Sequence, residues 1–422
     1  MSSSDPTSAA GPAAKDPVDT VPVPGPDQEA AAGDRQGGAA TTEEPAPVVA
    51  AAVAADVADA AAEAEIETPV EAEARPAEAP PVPLEVDIDG DNEDGDSAYA
   101  SDTSSRRTGS ITSSIVEYQY ENGRRYHAYR SGQYVLPNDE AEQDRLDLQH
   151  HIWRLLLKGA LYTAPLKLPD PVSDVPVGPD DAAFRILDLG CGTGIWAIDM
   201  ADELPQASVS GIDLSPIQPE WVPQNCRFHV DDYEDEWTYR ADEKFDYIHG
   251  RALSGTVADW ARFYGQVRAH LKPGAWVEMQ EYDAWIFSDD DSCARAPWTM
   301  EWVAKLDEAS SKFGKQINVA KHHKQWMIDA GFEDVHEEVI RIPIGPWAQR
   351  PDLKELGRFE RVHMQMSVDS HTPALFTRVW SYSEAQVQIL MEGVKNEFRS
   401  KDLHLITGYR FIIGRKPATD TS

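Results

Sequence analysis

The feature that most narrows the fold is a short apolar run, residues 185–189, that leads into Gly190-Cys191-Gly192-Thr193-Gly194 and then a helix-forming stretch over 195–203. Glycines let the backbone turn tightly and approach a ligand where a side chain would collide. The helix behind the turn offers unpaired N–H groups to an acidic group. Beyond it, apolar and amphipathic segments alternate. Strands are expected at 208–213, 226–230, 245–249 and 275–282, with an amphipathic helix over 257–271 that stops at Lys272-Pro273-Gly274. Such alternation implies a parallel sheet covered by helices on both faces. Further helices are expected near 298–313, 319–330, 353–366 and 384–398. Two more β-like runs stand at 335–344 and 404–414, the last returning to the sheet edge.

Glycine spacing separates the cofactor classes. A dinucleotide fingerprint would need glycine at 195, where Ile195 stands, and no Gly-Lys-Ser/Thr follows for a phosphate loop. Nineteen residues past Gly194, the second strand ends in Asp213. An acid at that strand tip suits the two hydroxyls of a ribose. The loop with Asp188 before it and Asp213 after it resembles motifs I and II of class I methyltransferases. That resemblance implies S-adenosylmethionine as cofactor, held by Asp188, Gly190, Cys191, Gly192, Gly194, Asp213 and Leu214. It also places Asp231 and Asp232, after the third strand, at the adenine amino group; the alternative for two adjacent acids is a solvated turn. Cys191 reads as a small packing residue, because no local histidine would activate its thiol.

A narrower resemblance covers residues 118–417, to the fungal LaeA-like, or TAM-domain, methyltransferases. It is carried by Tyr134-Val-Leu-Pro-Asn-Asp-Glu140, Asp144-Arg-Leu-Asp147 with His150, the loop 187–194, Phe245-Asp-Tyr-Ile-His249-Gly-Arg251, Lys272-Pro-Gly-Ala-Trp-Val-Glu278, Gly345-Pro-Trp347 and Gly414-Arg-Lys-Pro417. Ala275 departs from the pattern, where relatives usually carry a second glycine. The resemblance implies a Rossmann-like class I fold: a mostly parallel seven-stranded sheet, helices on both faces, and an N-terminal helical lid. It also implies a link to secondary metabolism and regulatory protein partners.

Past the fourth strand the chain has His249-Gly250-Arg251, not the Asn/Asp-Pro-Pro-Tyr/Phe of nucleic-acid amino methyltransferases. His249 is either a catalytic base or a hydrogen-bonded structural histidine. Arg251, Glu278 and Glu281 are candidates for the acceptor site, the two glutamates equally for pairing with Arg251. Tyr134 belongs to the lid and is a candidate cofactor contact, while Asn138-Asp139 suits the N-cap of a helix over 138–161. No metal is expected. Methyl transfer needs a base only when the acceptor carries a proton at working pH.

Composition divides the 422 residues. Residues 1–105 hold 24 acidic and 3 basic side chains, and the first aromatic is Tyr99. Such a segment cannot bury enough apolar surface to offset its chain entropy. Residues 1–110 are therefore expected to be a disordered acidic tail, 111–179 a helical lid and Pro-rich linker, and 180–417 the methyltransferase domain. Net charge over the whole chain is −35, which opposes direct nucleic-acid binding. No membrane span or signal peptide is expected, and three cysteines fit a reducing cytoplasm or nucleus. The methyl acceptor stays unknown at this level. The competing reading is a regulatory interaction protein that binds the cofactor with little or no turnover.

Overall fold

The computed structural model describes residues 118–168 and 184–419, apart from 128, 131, 133 and 241. The expected acidic tail and most of the Pro-rich linker lie outside these residues. A short hairpin opens the fold: β1 (Gln119–Glu121) pairs antiparallel with β2 (Arg124–Tyr126). Helix α1 (Glu140–Leu156) follows, its first turn closed by the Asp139 carboxylate, which accepts from Glu142 N. Within the region expected as a helical lid and linker, a hairpin thus precedes the helix.

The central sheet is built from β3 (Phe184–Leu189), β4 (Ala207–Asp213), β5 (Cys226–Val230), β6 (Phe245–Arg251), β7 (Leu271–Tyr282), β8 (Glu333–Pro343) and β9 (Ile406–Arg415). Its order is β5-β4-β3-β6-β7-β9-β8. The first five pair in parallel, and β9 runs antiparallel to both β7 and β8. This is the Rossmann-like methyltransferase fold. One expectation needs correction: β9 does not lie at the edge but between β7 and β8, leaving β8 outermost. The burial of the two strands gives the reason. Most of β9 is buried, whereas β8, EDVHEEVIRIP, exposes acidic side chains along much of its length.

Alternation along the strands sorts the helices. Leu187 and Ile248 pack with α3 (Trp260–His270) and α5 (His323–Asp329), whereas Ile186 and Tyr247 pack with α2 (Ile195–Glu203). On β9, Ile412 joins the first set, while Tyr409 and Phe411 meet Trp153 of α1 edge-on at 4.7 and 5.3 Å. A separate core joins α4 (Pro297–Phe313), α6 (Pro351–Trp380) and α7 (Glu384–Arg399) through Trp302, Leu306, Phe376, Leu390 and Phe398. Helix α6 runs well beyond its expected end at 366. No helix among the described residues is long and apolar enough to cross a membrane.

Candidate active site

The strands β3, β4 and β6 lie side by side and open at their carboxyl ends into one cavity. Leu189 of β3 leads into the glycine turn, where Gly190, Gly192 and Gly194 all have positive φ, 64°, 56° and 81°. Gly194 is also a point of close approach, since a Cβ there would lie 2.5 Å from Phe228 Cζ of β5. Cys191 N donates to Ile212 O, which ties the turn to β4. The next strand tip reinforces it: Asp213 Oδ2 accepts from Gly192 N at 2.9 Å, and Oδ1 from Ser215 N at 2.8 Å. Burial raises the Asp213 carboxyl to about 6, more than these two amides lower it. Burial also pushes the Cys191 thiol up, as befits a packing residue rather than a nucleophile.

Parallel register sets Asp188 of β3 opposite His249 of β6. The His249 Nδ1 lies 2.8 Å from Asp188 Oδ1, and the imidazole stacks on Trp196 at 3.7 Å between centroids and 8° between planes. His249 is wholly buried, and its Nε2 has no hydrogen-bond partner among the described residues. Two residues on, Arg251 donates from Nε to Gln280 Oε1 (3.1 Å) and from Nη1 to His150 Nδ1 (2.9 Å). A donor facing Nδ1 leaves the His150 proton on Nε2, which faces Asp199 Oδ2 at 3.0 Å. Burial lowers the Arg251 guanidinium to about 10.

The cavity wall brings together Asp188, Gly190, Cys191, Gly192, Asp213, Leu214, Asp232, His249 and Arg251, with Tyr134 contributed from the segment before α1. Of the adjacent acids, Asp232 is buried at the wall and forms an ion pair with Arg130 at 2.8 Å. Asp231 is exposed, off the wall, and accepts from the Asp232 amide. Gly194 also stays off the wall, as the N-cap of α2.

Glu278 and Glu281 do not reach the cavity, which corrects the acceptor role expected for them. Glu278 has no exposure and accepts from the amides of Thr163 and Ala164, from Tyr247 Oη and from Gln280 Nε2. Glu281 accepts from Leu253 N, Ser254 N and Ser254 Oγ, and burial raises it to about 7. These are anchors for backbone turns. Neither forms a hydrogen bond with Arg251, whose bonds go to Gln280 and His150.

Sequence reasoning missed Trp196, Tyr233, Thr256 and Lys315, all on the wall. Tyr233 was adjacent to a named acid, and its hydroxyl donates to Thr256 Oγ1 at 2.7 Å. No local pattern announces Lys315, which is brought in by an ion pair with Glu234.

A sheet of this order, with a glycine turn after its central strand and an acid at the next strand tip, defines a class I methyltransferase. A methyltransferase-domain family model matches residues 143–337. Over 317 residues the chain is 39% identical to Methyltransferase pytC of Aspergillus terreus, covering 75% of this chain and 93% of that protein. It is 37% identical over 300 residues to Secondary metabolism regulator LAE1 of Cochliobolus heterostrophus, covering 70% and 94%. Against Protein-methionine methyltransferase laeA of Emericella nidulans it is 34% identical over 303 residues, covering 71% and 77%. The chain belongs to the LaeA-like family of fungal methyltransferases. It is an S-adenosylmethionine-dependent enzyme.

Proposed function

We propose that the chain methylates a small metabolite or a protein side chain, and that Gly190–Gly194, Asp213 and Asp232 hold its cofactor. The single observation that carries this reading is the joint geometry of the glycine turn and Asp213, bonded to each other across the cavity floor. The turn lies tight against the rest of the wall: a Cβ at Gly190 would lie 2.7 Å from Leu253 Cδ2. Asp213 keeps carboxylate lone pairs beyond the two amides for a ribose diol, and Asp232 offers an acceptor at the β5 end. When bound, S-adenosylmethionine supplies a methyl carbon activated by its sulfonium, which an acceptor's electron pair attacks as the C–S pair returns to sulfur. The chain's task is alignment and exclusion of water, with the half-buried Tyr134 and Leu136 closing the wall from the lid side. A thioether acceptor has no proton and needs no base; an amine or hydroxyl would draw on His249, whose Nδ1 bond to Asp188 leaves Nε2 as a lone-pair acceptor.

Regulation of secondary metabolism is proposed by analogy with the relative named as its regulator, and action in cytoplasm or nucleus with protein partners is proposed alongside it. Calorimetry with S-adenosylhomocysteine tests the site. Wild type is expected to bind, and Gly192→Asp to lose at least about a hundredfold, because a carboxylate would sit against Leu146 and beside Asp213. Absence of wild-type binding would sink the reading. Labelled S-adenosylmethionine in fungal extract then separates a labelled protein band from a labelled extractable metabolite. Tight binding with label on neither would favour a regulator without turnover.

A further inference from the structure

Two further cavities adjoin the cofactor cavity on the side of α4 and α6. The first shares Tyr134, Leu136, Thr256 and Lys315 with the cofactor cavity and reaches Ile317 and His371. The second shares Ile317 and His371 with the first, and Tyr282 with the cofactor cavity. Tyr282, the last residue of β7, and His371 of α6 therefore link the three. Most of the deeper wall is apolar, with Ile286, Trp302, Leu306 and the adaptable Met364. Trp302 presents no free polar atom, since its Nε1 donates to Thr372 Oγ1 at 2.9 Å. Asp283 on the same wall is already paired with Arg410.

The remaining polar atoms are short of partners. His363, Ser367 and His371 recur every fourth residue along one face of α6, and all three line the deeper cavity. His371 Nδ1 lies 2.9 Å from Ser367 O, so it carries the ring proton and leaves a lone pair on Nε2. Among the described residues that lone pair meets only Tyr282 Oη, at a loose 3.4 Å. Burial lowers His371 to about 4, which keeps the ring neutral at pH 7. Arg145 Nη1 only donates and faces His363 Nε2 at 2.9 Å, so the His363 proton is on Nδ1. That Nδ1 has no hydrogen-bond partner among the described residues, with Glu360 Oε2 3.5 Å away, although His363 is only 2% exposed. A buried polar group left unpaired costs about 1–3 kcal/mol. An apolar chamber with a few under-bonded polar atoms is the pattern of a ligand site.

We infer that these two cavities hold the methyl acceptor, a small apolar ring compound whose phenolic or enolic hydroxyl meets His371 Nε2 and Tyr282 Oη. The inference rests on the proposed methylation of an acceptor and selects a small molecule over a protein side chain. The hydroxyl donates to His371 Nε2 and accepts from Tyr282, replacing the loose contact between them. In the transfer the oxygen lone pair forms the O–CH3 bond, the C–S pair stays with sulfur, and the O–H proton passes to His371 Nε2. That oxygen becomes strongly acidic as the bond forms, so a base held near a pKa of about 4 suffices. His371 is then the base for a hydroxyl acceptor, rather than His249, which lines the cofactor cavity alone of the three.

Two probes test this, 4-fluorophenol and fluorobenzene, followed by fluorine NMR on the full-length protein saturated with S-adenosylhomocysteine. Wild type is expected to bind 4-fluorophenol at least tenfold more tightly, because a site that bonds a hydroxyl rejects the analogue lacking it. His371→Leu should erase that preference while holding S-adenosylhomocysteine affinity within twofold, which certifies its fold. His371→Gln keeps a lone pair but takes no proton. It should retain the preference, while conversion of 4-fluorophenol to 4-fluoroanisole with S-adenosylmethionine falls at least a hundredfold below wild type. Wild type without the preference, or without 4-fluoroanisole formation, overturns the inference. So does a preference intact in His371→Leu, or a His371→Gln variant that keeps or loses binding and turnover together. The wild-type comparison needs no variant, so it decides even if both substitutions fail to fold. Wild type that does not bind S-adenosylhomocysteine would defeat the cofactor site instead, a distinguishable outcome.

Discussion

Asp213 shows how one residue ties loop, strand and chemistry together. Its carboxylate closes the glycine turn through Gly192 N, and burial holds its pKa at about 6, against 3.8 for an unperturbed group. The ionised form accepts strongly from both ribose hydroxyls, whereas protonation turns one oxygen into a donor and leaves a weaker acceptor. Affinity for S-adenosylhomocysteine is therefore expected to be full above pH 7 and to fall as pH drops through 6, by about tenfold at pH 5. Asp213→Asn should weaken binding at pH 7 and flatten this dependence. A calorimetric pH series in which wild type binds equally at pH 5 and 7 would remove the ribose role. Asp188 and Asp213 were legible because glycine spacing and strand ends locate them without knowledge of neighbours. Glu278 and Glu281 were not. Both are acids near a strand end, and only the chain folded around 163–164 and 253–254 shows that their oxygens are already used. The same limit applied to Asp231 and Asp232, where one backbone step decides which carboxylate is buried.

At the scale of elements, α6 passes through Pro373, where a helix stop would be expected. Proline there has no N–H to give to the carbonyl of Asp369, a loss of about 3 kcal/mol in an ordinary helix interior. In this fold Arg124 of β2 donates from Nη1 to Asp369 O at 2.8 Å, while its other nitrogens hold the Asp139 N-cap of α1 at 2.6 and 2.8 Å. One arginine from the opening hairpin thus repairs α6 and fixes the start of α1. Arg124→Leu is expected to lower unfolding stability by about 2–4 kcal/mol in urea titrations. Pro373→Ala restores a backbone donor to Asp369 O, so it should stabilise the Arg124→Leu background by about 1 kcal/mol more than wild type. Strictly additive effects would refute the link. The strand and helix alternation from 185 to 282 could be read from periodicity because each segment declares itself locally. The true length of α6 could not, since its repair comes from a residue 245 positions upstream of Asp369.

For the whole molecule, the decisive fact is that the last strand is an interior one. β9 pairs β7 over Tyr282↔Tyr409 to Trp276↔Arg415 and β8 over Pro343↔Ile406 to Glu333↔Arg415, so it joins β8 to the parallel sheet. Its apolar residues serve two layers: Ile412 packs beside Val277 and Met327, and Tyr409 and Phe411 receive Trp153 of α1. The sequence run ITGYRFIIGR was readable as a strand; its place was not, because an edge and a central antiparallel strand differ only in what covers them. Burying one large apolar side chain contributes about 1.5–3 kcal/mol, and Ile406, Tyr409, Phe411 and Ile412 are each 5% exposed or less. Their combined contribution is on the order of the whole 5–15 kcal/mol stability of a domain. Removing residues 405–422 should therefore abolish the cooperative thermal transition and S-adenosylhomocysteine binding together, although every proposed cofactor residue remains in the chain. An edge strand would behave otherwise, its loss lowering the midpoint while leaving a folded, binding-competent core. Circular dichroism melts of the truncated and full-length chains decide between these. A truncated chain that still melts cooperatively and binds would mean that β7 can end the sheet, and that β8 and β9 form an appended unit.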